Sequence, residues 1–212
     1  MNWEDFLKKT EKLPVIYTEN LYAGDTDILS MEVQISRWRK SGKITQLKRG
    51  IYVVAEPYRK VSLYEPHLAS ILTQPSYISL EKALEYHSLI PEAVSIYTSI
   101  TTKRPKTIKT KVGVFNYRHI KASLFWGYNS VTVEKQTAFI ATPEKALLDF
   151  FYFKKIRASI SYIRELRLQN VECVNTKKLM EYAKKFQKPK VLKAANIIKD
   201  YIISTLKEEK RL

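Results

Sequence analysis

Over residues 1–54 the apolar positions first recur at helical spacing and then alternate. Trp3, Phe6, Leu7 and Leu13 fall near a helical period with charges between them, which predicts a first helix over residues 2–12, stopped by Pro14. A short second helix is expected around Glu19–Ala23, closed by Gly24, with the stretch AGDTD as a loop. Ser30 is the expected N-cap of the next helix. There Met31, Ile35 and Trp38 follow one another at i, i+4, i+7 and should face a core. Gln34, Arg37 and Ser41 take the other side, with Lys40 beside them, and Gly42 ends the helix. Ile44–Leu47 and Ile51–Val54 are rich in β-branched and aromatic residues, which predicts two strands turned by Lys48, Arg49 and Gly50. A short amphipathic helix with a basic outer face, running into a hairpin with a cationic tip, is what a winged helix-turn-helix looks like in sequence.

Pro57–Val61 breaks the pattern with a proline and a charge cluster. It is the expected boundary between a unit at 1–56 and a larger one at 62–212. In the larger unit YEPHLASIL reads as a helix with Pro66 near its first position. Tyr77 and Ile78 suggest a short extended piece, Ser79 a helix cap, and Leu80, Ala83, Leu84 and His87 one helix face. From 94 to 141 the runs VSIYTSI, TIKTKVGVFNY, SLFWGY and VTVEKQTAFIA alternate apolar and polar residues, which predicts an antiparallel sheet. Thr142-Pro143-Glu144 opens a helix with a cap, an N1 proline and an acidic first turn, and the run ALLDFFYF behind it should be deeply buried. Residues 156–212 read as a basic helical tail of two to three helices, the last starting at Pro189. The fold class expected is α+β: an N-terminal winged helix-turn-helix, then a mixed α/β domain with an antiparallel sheet (62–155) and C-terminal helices (156–212).

Composition narrows the function classes. At 45% hydrophobic the chain can bury a core, and its scarce glycines and lack of a fixed period argue against solenoids and flexible linkers. Cys173 is the single cysteine, so neither an internal disulfide nor a cysteine-built zinc site is available, and a reducing compartment is expected. The opening residues lack the apolar run of a signal peptide, and no stretch approaches the ~20 apolar residues of a membrane span. The expectation is a soluble, cytoplasmic protein with no membrane partner.

The formal net charge is +16, spread unevenly. Residues 1–60 hold 11 Lys/Arg against 8 Asp/Glu, residues 61–153 hold 10 against 7, and residues 154–212 hold 16 against 6. A polyanion partner follows from that excess, because neutralising phosphates releases counterions. A solvated lysine-rich surface gives the same numbers, so the placement of particular side chains has to decide. In the major groove Arg pairs with guanine and Gln or Asn with adenine. Gln34 and Arg37 are the expected base readers. Ser30 belongs to the same candidate DNA-binding set, with Lys40 and Lys43 as phosphate contacts and Lys48 and Arg49 as a tip that reaches backbone or minor groove. The plainer alternative is an ordinary helix and hairpin with a solvated basic face, in which Trp38 and Tyr52 only pack.

Chemistry elsewhere is thin. No HExxH, paired-aspartate or GxxxxGK[ST] pattern occurs, so no catalytic residue, metal or cofactor is expected. Glu81, Glu85 and His87 are the nearest approach to a metal-dependent nuclease set, but solvated charge explains them as well. The basic tail is the feature that an RNA-binding or adaptor role would use.

Several strings occur in a telling order: LKRGIYVV, YEPHLASIL, PSYISLEKALEYHSLIPEA, TSITTKRPK, FNYRHIK and IATPEKALLDFFY. Together, over roughly residues 15–155, they resemble the AbiEi-like antitoxins of type IV toxin–antitoxin systems. The resemblance implies a winged helix-turn-helix followed by an antitoxin domain, and no catalytic residues. It implies a regulator that represses its own operon through inverted repeats in double-stranded DNA. It further implies antagonism of a nucleotidyltransferase-like toxin without a stable protein–protein complex. ATPEKALLD is explained as a capped, buried helix. Thr101, Thr102, Lys103 and Arg104 belong to a polar basic segment that reads first as a hairpin loop and otherwise as a phosphate binder; with no structural reason as strong, they become the candidate antitoxin-domain site.

Overall fold

A computed structural model of the chain describes residues 1–22 and 27–209. Its N-terminal part runs α1 (Trp3–Thr10), β1 (Ile16–Tyr17), α2 (Thr18–Tyr22), α3 (Ile28–Lys40), β2 (Ile44–Lys48) and β3 (Ile51–Val54). The three strands form an antiparallel sheet in the order β1-β3-β2. Asn2 caps α1 by accepting the Asp5 backbone N–H, so this helix is shorter than the 2–12 expected, and Leu13 lies beyond it, exposed. Ser30 does not cap α3. Asp27 does, one turn earlier, accepting from the backbone N–H groups of Leu29 and Ser30, because a carboxylate at that point also meets the positive helix end. The expected loop at 23–26, with Gly24, lies outside the described residues.

The expected stripe on α3 holds: Met31, Ile35 and Trp38 are buried. They form a small core with Phe6, Ile16, Leu21, Ile44, Tyr52 and Val54. Phe6 and Trp38 lie 4.5 Å apart between ring centroids, within the range of favourable aromatic pairs. Strand β3 has a second partner. Its residues alternate between two cores, Tyr52 and Val54 facing α3, Ile51 and Val53 joining Leu47 and Val15 in the core of the larger body. All four residues of IYVV are therefore buried, and a strand covered on both faces reads as a continuous apolar run.

The larger body contains α4 (Glu65–Leu72), β4 (Ser76–Ile78), α5 (Leu80–Tyr86), β5 (Ile96–Thr101), β6 (Lys106–Thr110), β7 (Gly113–His119), β8 (Tyr128–Val133), β9 (Gln136–Ala141), α6 (Pro143–Phe153), α7 (Ile160–Glu165), α8 (Thr176–Lys185) and α9 (Pro189–Glu209). Its six strands, among the described residues, order as β6-β7-β5-β4-β9-β8. The sheet is mixed rather than antiparallel as expected: β5 runs parallel to β7 and β4 parallel to β9, while the remaining pairs are antiparallel. Alternation reports which face of a strand is buried. It does not report the direction of the neighbour, which depends on the chain between the paired strands: β6 for β5 and β7, and all of α5 to β8 for β4 and β9. The run SLFWGY, expected as a strand, instead makes a short 3-10 turn at Ala122–Leu124 before β8 begins.

Helix α6 runs through the centre. Thr142 caps it by accepting the Lys145 N–H, and its residues Glu144–Phe151 are all buried against α5, α8, α9 and the sheet. The tail resolves into three helices, α9 starting at Pro189 as expected. No helix among the described residues is long and apolar enough to cross a membrane.

Candidate nucleic-acid interface

Burial of Met31, Ile35 and Trp38 leaves the opposite face of α3 outward. Ser30, Arg37 and Lys40 are exposed there, while Gln34 is half-buried. The residues one turn and two turns before Arg37 are Val33 and Leu29, and both are exposed, Leu29 at 74%. The outer face is thus apolar near its N-terminus and cationic near its C-terminus. Neither Arg37 nor Lys40 has an ion-pair partner among the described residues. Arg39 is committed instead, donating to Gln46 Oε1 at 2.7 Å, which ties α3 to β2. Lys43 is half-buried with its ammonium 5.0 Å from the centre of the Trp3 ring.

At the hairpin tip Lys48 and Arg49 are exposed although β3 behind them is buried on both faces. Gly50 holds a left-handed φ of +78°, where a side chain is strained, and its carbonyl accepts the Thr18 N–H, pinning the tip to the start of α2. Strand β2 lies beside β6. Burial, and after it the charge of Lys48, holds the Lys106 ammonium below its usual pKa. Two cations, one from each unit, therefore crowd together beside the tip, an arrangement that an anion relieves.

The antitoxin-domain candidates divide. Thr101 is buried and fully used: its hydroxyl donates to the Pro75 carbonyl at 2.6 Å and accepts the Lys103 N–H at 3.1 Å. The Lys103 carbonyl lies 3.1 Å from His119 Nδ1. The stretch shapes the turn from β5 to β6, in line with the loop expected for it. Thr102 is half-buried, and Lys103 and Arg104 are exposed on that turn.

Glu81, Glu85 and His87 are not brought together as ligands. Glu81 pairs with Lys154 at 2.8 Å and Glu85 with Lys82 at 2.7 Å. His87 Nε2 donates to the Ala141 carbonyl at 2.7 Å, and burial lowers the pKa of its imidazole. Among the described residues no three His, Cys, Asp or Glu side chains gather where a metal ion would fit.

The feature that sequence reading missed lies under α6. Lys145 and Asp149, one turn apart, form an ion pair with both side chains wholly buried. Lys145 Nζ also donates to Tyr77 Oη at 2.8 Å, and Asp149 Oδ2 accepts from Tyr77 Oη at 3.0 Å and from Ser79 Oγ at 2.8 Å. Ser79 thus stands at the N-cap position of α5 without capping it, because its hydroxyl is spent on the carboxylate. The rings of Tyr77, Trp126 and Phe186 surround the ammonium at 4.8–5.3 Å. Burial drives the Asp149 carboxyl up and the Lys145 ammonium down, and their contact opposes both shifts. The i, i+4 spacing of a lysine and an aspartate was visible in sequence, but it reads equally as an exposed helical pair.

No protein-family model matches this chain, and no curated protein is significantly similar to it.

Proposed function

We propose that the N-terminal unit is a winged helix-turn-helix that binds double-stranded DNA. α3 enters the major groove, and the β2–β3 tip rests on the flanking backbone. One observation carries this reading. The outer face of α3 is held clear of the protein by its own buried stripe, and it carries uncommitted cations next to an exposed cationic tip. The strand order β1-β3-β2 behind α3 supports it. Arg37 matches guanine edges, Leu29 and Val33 offer apolar contact to thymine methyls, and Lys40, Lys48, Arg49 and Lys106 neutralise phosphates. Lys43 and Gln34 are partly sheltered and play a smaller part than the outward residues.

The resemblance in sequence adds the biological role we propose: an AbiEi-like antitoxin that represses its own operon at inverted repeats and antagonises a nucleotidyltransferase-like toxin. Footprinting of the full-length protein on its own promoter tests the DNA-binding claim. Protection of an inverted repeat, lost as salt rises, is the expected result. No protection at low salt overturns it.

A further inference from the structure

On the far side of the buried lysine, exposed cations gather around one tryptophan. Trp126 follows the turn before β8 and stands between two cations. Its inner neighbour is the buried Lys145 ammonium, 4.9 Å from the ring centroid, and on the outside Lys185 lies 5.8 Å away. Tyr182 and Phe186 meet the ring nearly edge-on, and the indole N–H donates to the Ser123 carbonyl at 3.0 Å. Trp126 is therefore fixed in place and yet remains half-exposed.

In front of it opens a cavity of about 440 Å³, whose lining includes Trp126, Tyr152, Gln187, Lys121, Lys185 and Lys188. Lys121 and Lys188 are exposed and have no ion-pair partner among the described residues. Lys185 pairs with Glu181 at 2.8 Å, an exposed contact of the kind that contributes little and yields readily to a phosphate.

We propose that this cavity binds a nucleoside phosphate presented by a single-stranded nucleic acid, with the base against Trp126 and the phosphates on Lys121, Lys185 and Lys188. A rigid, half-exposed aromatic ring flanked by lysines is how single strands are held without base-specific contacts. A duplex does not fit the chemistry, because its base faces are stacked away. A polymer is favoured over a free nucleotide because α8 and α9, which flank Lys188, carry further exposed cations. Lys184 on α8 and Lys193 on α9 are exposed and unpaired among the described residues, within the segment 154–212 that holds 16 Lys/Arg against 6 Asp/Glu. This site is separate from α3 and does not depend on the reading of the N-terminal unit.

The test is anisotropy of a labelled single-stranded oligouridylate with the full chain, beside AMP and a promoter duplex. The expected result is binding of the oligouridylate that falls with salt. The exposed triple variant K121A/K185A/K188A should lose at least about 10-fold in that affinity while duplex binding by the N-terminal unit is kept. The variant Trp126→Leu should lose a similar factor, and since Trp126 packs over Lys145, the surface variant K188E serves if W126L fails to fold. Absence of single-strand binding, or binding that the triple variant leaves unchanged, overturns the site. AMP binding as tightly as the oligouridylate overturns the single-strand assignment.

Discussion

Lys145 sets its ammonium on the carboxylate of Asp149 one turn further along α6, in a core where neither side chain reaches solvent. Removing one partner strands the other as a buried charge, which costs about 3–5 kcal/mol. K145M and D149L should each lower the stability of the folded chain by that order in urea unfolding. The double variant K145M/D149L should recover part of the loss, since an apolar pair of similar volume needs no solvation. If the double variant is as unstable as the sum of the two single ones, the pair is not coupled as described.

Gly127 supports the same group. Its φ is +79°, and a Cβ there would lie 3.0 Å from Lys145 Cγ. Gly127→Ala combines backbone strain with a clash against a side chain that has no room to retreat, so it should destabilise by more than about 1 kcal/mol. Thermal unfolding of G127A indistinguishable from the parent would contradict this packing.

Arg37→Ala should relax base preference and weaken operator binding by about 1–3 kcal/mol, the worth of a bidentate pair with guanine. If Lys48 contacts phosphate as proposed, Lys48→Ala should weaken all duplex sequences about equally, with a shallower salt dependence. Competition binding with operator variants separates the two. An R37A protein that keeps both its affinity and its sequence preference removes α3 from the groove.

The His87 imidazole titrates below its ordinary 6.5, chiefly through burial, opposed by its hydrogen bond to Ala141 and by nearby Glu144. The unfolded chain therefore takes up this proton at a higher pH than the folded one does. Stability from His87 is full above about pH 6.5 and is lost as pH falls toward the folded pKa. His87→Gln keeps a donor for the Ala141 carbonyl and should flatten the dependence between pH 7.5 and 5. An unchanged slope in H87Q assigns the acid sensitivity to other groups.

Leu47 and Val53 project from the hairpin into the core of the larger body. Leu47→Ala should cost about 2–5 kcal/mol and affect both units together. Calorimetry of the parent should show one transition, because the hairpin belongs to both cores. Two well-separated transitions would mean that the shared face contributes little.

How far the site could be read in advance differs from element to element. The stripe Met31, Ile35, Trp38 and the hairpin strands follow from local periodicity, because a short helix and a tight turn need only near neighbours. Proline and threonine chemistry at Thr142-Pro143 placed the start of α6 for the same reason. Asp27 rather than Ser30 as the cap of α3 escaped, since both residues are good caps and local spacing does not choose between them.

By itself the amino-acid sequence determined the helices and hairpin of the N-terminal unit, the depth of α6 and the basic character of the tail, all consequences of spacing and composition within a few turns. Only the tertiary structure decided that IYVV serves two cores, that the large sheet is mixed, that Thr101 shapes a turn and that Lys145, Asp149, Tyr77 and Ser79 share one buried network. Each of these joins side chains distant along the chain or on opposite faces of one strand. Local patterning states that a side chain is buried. Which partner meets it there depends on strand order and helix packing, and those are properties of the whole chain.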